Sequence, residues 1–214
     1  MILKPIQSIT FAGALFVTFS FTACAEKQQE DTSTAQEQHE GMNHEAMNQT
    51  SMTEQTQVAA PDYATAGDPI KQQVAELLSS YLKLKDALVA TDPEVAKTEA
   101  QAVLTAAGKV DAAGLTAEQQ QFATEKLEKV KQSASEIAGA ADVAVQREHL
   151  EPLSEATFAL TKAFDATDQA LYYQHCPMAN NNKGAYWLSS NEEIRNPYMG
   201  EAMLKCGSTK EVLN

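Results

Sequence analysis

The strongest pattern along the chain is a helical period of apolar residues that starts after Gly67. Ile70, Val74, Leu77, Leu78, Tyr81, Leu82, Leu84 and Leu88 fall on one face of a helix running to about Ala90. Asp68-Pro69 ahead of them reads as an N-cap followed by proline at the first helical position. Asp92-Pro93 repeats that chemistry, and Val95, Ala102, Val103, Ala106 and Val110 carry a second helix to about Ala113-Gly114. Thr116 with Gln119 three residues on makes a capping-box start for a third, in which Phe122, Leu127, Val130 and Ile137 face a core until Gly139. Val145, Leu150, Leu153, Phe158, Leu160, Phe164 and Leu171 predict a fourth helix from about Ala141 to Tyr173, kinked at Pro152. Near the C-terminus, Asn196 as N-cap, Pro197 after it and Gly207 past the end predict a short helix with Met199, Met203 and Cys206 on one face. Together these elements predict an all-α domain over residues 67–214, an antiparallel four-helix bundle with a C-terminal Cys/Met-bearing loop and short helix.

The residues before the bundle follow different rules. Lys4 precedes the apolar run Phe11 to Phe21, too short for a comfortable membrane span, and small residues lead to Cys24. Residues 1–23 therefore predict a secretory signal. Phe21-Thr22-Ala23-Cys24 resembles the bacterial lipobox, which implies that Cys24 is lipidated and anchors the chain to a membrane of the cell envelope. Residues 24–66 are rich in Gln, Glu, Thr, Ser and Asn, bury nothing large, and predict a disordered tether.

Charge removes one class of function. The chain carries a net charge of −13, and loss of residues 1–23 takes away only Lys4. Nucleic acid is not an expected partner, because no basic surface is available to neutralise phosphates.

The tether holds a pentapeptide written twice, His39-Glu40-Gly41-Met42-Asn43 and His44-Glu45-Ala46-Met47-Asn48, with Met52 close behind. Two of the four histidines and three of the seven methionines lie in this tract. Methionine in a polar segment has no core to fill, and imidazole with thioether suits copper and silver, thioether favouring Cu(I). The tract is either a soft-metal ligand set at His39, Met42, His44, Met47 and Met52 or a spacer of accidental composition. A zinc-protease motif is excluded, since its two histidines stand four apart and these stand five apart.

A second soft-donor group lies at the other end of the chain. His175, Cys176 and Met178 follow the predicted fourth helix, and Met199, Met203 and Cys206 share the predicted C-terminal helix. Cys176 and Cys206 either form a disulfide, as an oxidising envelope favours, or bind Cu(I) as thiolates with nearby thioethers; the two states can be redox alternatives of one site. His149, flanked by Arg147, Glu148 and Glu151, reads as a surface or capped histidine. No nucleophile elbow, Cys-x-x-Cys motif, heme attachment motif, phosphate loop or di-iron Glu-x-x-His pair occurs, so no enzyme is predicted.

The C-terminal residues Cys176-Pro177-Met178-Ala179, Lys183-Gly184-Ala185-x-Trp187 and Asn196-Pro197-Tyr198-x-Gly200-x-x-Met203-x-x-Cys206-Gly207 carry a resemblance. With the helical region ahead of them they look like an uncharacterised bacterial envelope domain. That domain occurs in stand-alone lipoproteins and as a C-terminal extension of adaptor proteins of copper and silver efflux pumps. The resemblance implies a membrane-anchored envelope protein that buffers Cu(I) or delivers it to an efflux adaptor or another carrier, with Cys176, Met178, Met203 and Cys206 at the centre of its site. The alternative is a metal-independent, disulfide-clipped helical module that docks on an envelope complex.

Overall fold

The computed structural model describes residues 58–214; Cys24 and the tract from His39 to Met52 lie outside them. Four helices form a ring of neighbours, with α1 (Asp68–Val89) and α3 (Ala117–Gly139) each packed on both α2 (Pro93–Lys109) and α5 (Leu150–Phe164). The inner faces of α1 and α3 are those the apolar period predicts, including Val74, Leu77, Leu84 and Leu88 from α1 and Leu127, Val130 and Ile137 from α3, all buried, whereas Val95 of α2 and Val145, expected on inner faces, are exposed. α2 contributes mainly Ala96, Ala100, Val103, Ala106 and Ala107, small side chains that let its backbone approach its neighbours closely. Asp92 caps α2 through Glu94 N and Val95 N, and Thr116 and Gln119 form the full capping box of α3. Gly67 is the cap residue of α1, so Asp68 supplies negative charge to its first turn and no cap bond.

The domain is not all-α. After α5 the chain forms an antiparallel sheet in the order β2-β1-β3, built from β1 (Leu171–Cys176), β2 (Ala185–Ser189) and β3 (Ser208–Leu213). The predicted fourth helix fails at two points. It breaks first at His149, which closes the short α4 (Val143–Glu148) and opens α5, and not at Pro152. Pro152 stands in the first turn of α5, where a missing N–H removes no helical bond. α5 then stops at Phe164, because Asp165 takes the left-handed conformation (φ 50°, ψ 52°) and Ala166 N bonds back to Thr161 O. Leu171 lies beyond that stop, on a strand whose aromatic residues suit a pleated, half-buried surface.

The predicted C-terminal helix also gives way, to a single 3-10 turn (Gly200–Met203). Asn196 does cap, its Oδ1 accepting from Tyr198 N (2.8 Å) and Met199 N (3.2 Å). Its Nδ2 donates to Cys206 O and its N to Leu204 O, however, which folds the segment back on itself as a closed loop. Gly200 (φ 55°) interrupts any regular helix between Met199 and Met203.

One buried relay fastens sheet to bundle. Leu188 N of β2 donates to Tyr81 Oη (3.1 Å), which lies 2.6 Å from Ser154 Oγ, and that hydroxyl donates to Leu150 O (2.8 Å). Burial in this relay pushes the Tyr81 phenol well above its usual titration range. β2 thereby lies against α5 and α1, and Trp187 and Leu188 are fully buried. None of the helices among the described residues is long and apolar enough to cross a membrane.

Candidate functional site

Cys176 ends β1 and Cys206 stands two residues ahead of β3. The β1–β3 ladder, which pairs Gln174 with Thr209 and His175 with Ser208, carries the two cysteines together just past its last pair. Their Cα atoms are 5.7 Å apart, within the span of a disulfide, and the two sulfurs are bonded. Cys176 is fully buried, whereas Cys206 is partly exposed.

The other soft donors are arranged unequally around this pair. Met178, two residues from Cys176, is 47% exposed and begins the irregular turn Ala179–Asn182, in which three successive asparagines take positive φ. Met203 is partly buried, and its carbonyl accepts from Cys206 N at 3.0 Å. Met199 packs on the hydrophobic core and is separated from Met203 by the Gly200 reversal, so Met199, Met203 and Cys206 do not form one helical face.

His175 belongs to a different group. Adjacent strand residues point to opposite faces, so its imidazole is turned away from the Cys176 sulfur. The imidazole ends a column of rings, tilted against Tyr186 (4.3 Å, 38°), which stacks on Tyr173 (4.8 Å, 13°), itself stacked on Phe158 (4.2 Å, 2°). Burial, with the charge of Lys210, lowers its pKa, which favours the neutral ring. Gly184 (φ 84°) makes room for it, since a Cβ there would come within 2.5 Å of His175 Nε2. Among the described residues there is no group of three or more His, Cys, Asp or Glu side chains placed to hold a metal ion. A metal here would depend on the sulfur atoms.

Most other residues of the C-terminal pattern hold the fold. Tyr198 donates to Tyr186 O at 2.5 Å and meets the buried Trp187 ring edge-on. Arg147 donates from Nε to Pro197 O (2.7 Å) and from Nη2 to Leu88 O (2.9 Å) and Thr91 Oγ1 (3.0 Å), tying the 196–200 loop to the end of α1. Gly200 leaves room for that clamp, because a Cβ would stand 2.9 Å from Arg147 Nη2. The apolar period marks Tyr81 only as a core residue, and nothing in the sequence marks Arg147 as a clamp. Each acts across fifty or more residues of chain, and a surface-like charge or a core aromatic carries no local sign of such a partner. The interleaved aromatics of Tyr172-Tyr173 and Tyr186-Trp187 were the available signal for the ring column and its strands.

The chain is similar to the family described as "Protein of unknown function (DUF3347)" over residues 77–169. The match covers most of the helical ring and ends before β1, so it does not include the cysteine pair. No curated protein and no solved structure gives a match.

Proposed function

We propose that this chain is an envelope lipoprotein, anchored through Cys24, that takes up soft metal ions as cargo. Cu(I) is the ion, to be buffered or passed to an efflux adaptor or another carrier. The observation that carries the reading is the meeting of Cys176 and Cys206; along the chain Met178 stands two residues from the first and Met203 three from the second. In the disulfide the sulfurs have no thiolate to offer. A dithiol reductant changes this: its two thiols become a disulfide, two electrons and two protons pass to the protein, and two thiols result. Cu(I) then displaces both protons and binds two thiolates with thioether support, a donor set suited to a soft monovalent ion. The tract at His39, Met42, His44, Met47 and Met52 would add a second, weaker group that must be ordered on binding.

A second reading has its own support. Cys176 is fully buried and the neighbouring pattern residues Asn196, Tyr198 and Gly200 have structural roles, as a disulfide-clipped docking module without metal would require. Competition for Cu(I) against a chromogenic chelator, with reduced protein in the absence of oxygen, separates the two. Wild type should outcompete both Cys176→Ser/Cys206→Ser and a chain lacking residues 39–52. If the double variant competes as well as wild type, the cysteine pair is a clip and the second reading stands.

A further inference from the structure

The two sulfurs of the Cys176–Cys206 bond are placed unequally. Cys176 ends the central strand and is fully buried. On the same face of β1, Gln174 donates to Asn191 O (3.2 Å) and Glu192 O (3.0 Å), and Trp187, paired across from it, meets Tyr198. Residues 191–198 thus close over the face of the sheet that holds Cys176. Cys206 stands at the rim of this cover and is partly exposed, next to Lys205, whose side chain is 80% exposed. On its other side Gly207 lies against Trp187, where a Cβ would come within 2.8 Å of the ring and 2.9 Å of His175 O. The Cys206 backbone is held at both ends, its N donating to Met203 O (3.0 Å) and its O accepting from Asn196 Nδ2 (2.9 Å).

Thiol–disulfide exchange begins when a thiolate reaches one of the two sulfurs, so access decides which is attacked. Every approach to Cys176 lies in the core, which leaves Cys206. We infer that reduction, the step on which the proposed Cu(I) uptake rests, is directional: a dithiol attacks Cys206, and Cys176 is the leaving sulfur. The attacking thiol gives its proton to water and bonds to Cys206 Sγ as the Cys176–Cys206 bond breaks. The electron pair leaves on Cys176 Sγ, which takes up a proton. The second thiol of the reductant then loses its proton and attacks the reductant's sulfur in the mixed disulfide, and Cys206 departs and is protonated. Two electrons and two protons have passed to the protein, and the reductant has become a disulfide.

The packing makes that second thiol necessary. The β1–β3 ladder and the two backbone bonds of Cys206 hold the cysteine Cα atoms 5.7 Å apart. In a mixed disulfide with a monothiol, Cys176 is therefore in place to re-form the original bond, and that intramolecular attack outruns a second encounter with solvent thiol.

The test uses the chain from residue 24 onward with Cys24→Ser, free of copper. In its dithiol form, one equivalent of N-ethylmaleimide should label Cys206 and leave Cys176 free, read by peptide mass. Even labelling, or label on Cys176 first, overturns the inference. Among single-cysteine variants with native emission from Trp187, the one tryptophan, Cys176→Ala should react with an aromatic disulfide about a hundredfold faster than Cys206→Ala, whose thiol is reached only by opening of the fold. Comparable rates would also overturn it. Treated with 2-hydroxyethyl disulfide, Cys176→Ala should keep the adduct, whereas reduced wild type should lose it to the Cys176–Cys206 bond; a lasting adduct on wild type removes the need for a dithiol. A reduced Cys-x-x-Cys protein that outpaces dithiothreitol at equal thiol concentration assigns the dithiol to a protein partner, and the opposite order assigns it to a small molecule. Cys206-first labelling without added Cu(I) uptake in the dithiol form would leave this inference standing and remove the metal reading.

Discussion

Replacing both cysteines by alanine isolates what the Cys176–Cys206 bond contributes to the fold. The bond closes a loop with a sequence separation of 30. On the chain-entropy relation such a loop restricts the unfolded state by about 3.6 kcal/mol at 25 °C. Alanine is the better replacement, because serine would set a hydroxyl in the fully buried position of Cys176. The cavity left by one buried sulfur adds about 1 kcal/mol, and the β1–β3 ladder remains to hold the C-terminal strand. The expected total is about 4 kcal/mol, which for a domain of this size lowers the melting temperature by roughly 8–16 °C. Urea denaturation of oxidised wild type, reduced wild type and Cys176→Ala/Cys206→Ala is the assay. Reduced wild type should fall between the other two, because reduction removes the cross-link and leaves the sulfur volume. A double variant within about 1 kcal/mol of oxidised wild type would refute the reasoning, since the loop would then be ordered by its other contacts in both states.

Three further outcomes follow from the same contacts. Tyr81→Phe removes the acceptor of Leu188 N in a fully buried relay and should cost about 1–3 kcal/mol in urea, with faster hydrogen exchange at Leu188; an unchanged midpoint would contradict the relay. Arg147→Ala leaves Pro197 O without its donor and removes one of the two donors to Leu88 O, and should cost about 2 kcal/mol while making residues 190–207 more sensitive to limited proteolysis; equal cleavage rates would show that the clamp is idle. Burial, and after it the charge of Glu155, hold the folded-state pKa of Glu151 above its unfolded one, so the folded protein binds the extra proton and stability falls as pH rises through that window. Glu151→Gln should therefore be more stable than wild type at pH 7, with the difference disappearing below about pH 4; a constant difference across this range would remove the electrostatic cause.

The helical ring could be read from the sequence because its determinants are local. The Asp92 cap, the Thr116–Gln119 capping box and the apolar face from Ile70 to Leu88 each lie within a few turns of the helix they specify. The sheet could not be read the same way. Leu171 continues the apolar spacing of α5 by chance, and the left-handed Asp165 opens the six-residue loop that separates them. Asn196-Pro197 carries true capping chemistry, but whether a helix follows is decided by the Arg147 clamp, fifty residues away, and by the bond to Cys206 O that closes the loop. The sulfur group was visible as residue types, and its inner structure was not. Strand alternation sends His175 to the other face of the sheet, and core packing takes up Met199, so of the expected donors in this part of the chain only the two cysteines are seen brought together.

The central claim is that one cysteine pair alternates between a clip and a soft-metal site. The most direct measurement is the stoichiometry of Cu(I) bound by the wild-type chain in its disulfide form and in its dithiol form, titrated without oxygen against the same chelator. The Met/His tract is present in both forms, so any difference belongs to the cysteines. The account predicts one further equivalent of Cu(I), bound more tightly, in the dithiol form. Equal stoichiometry and affinity in the two forms would contradict it.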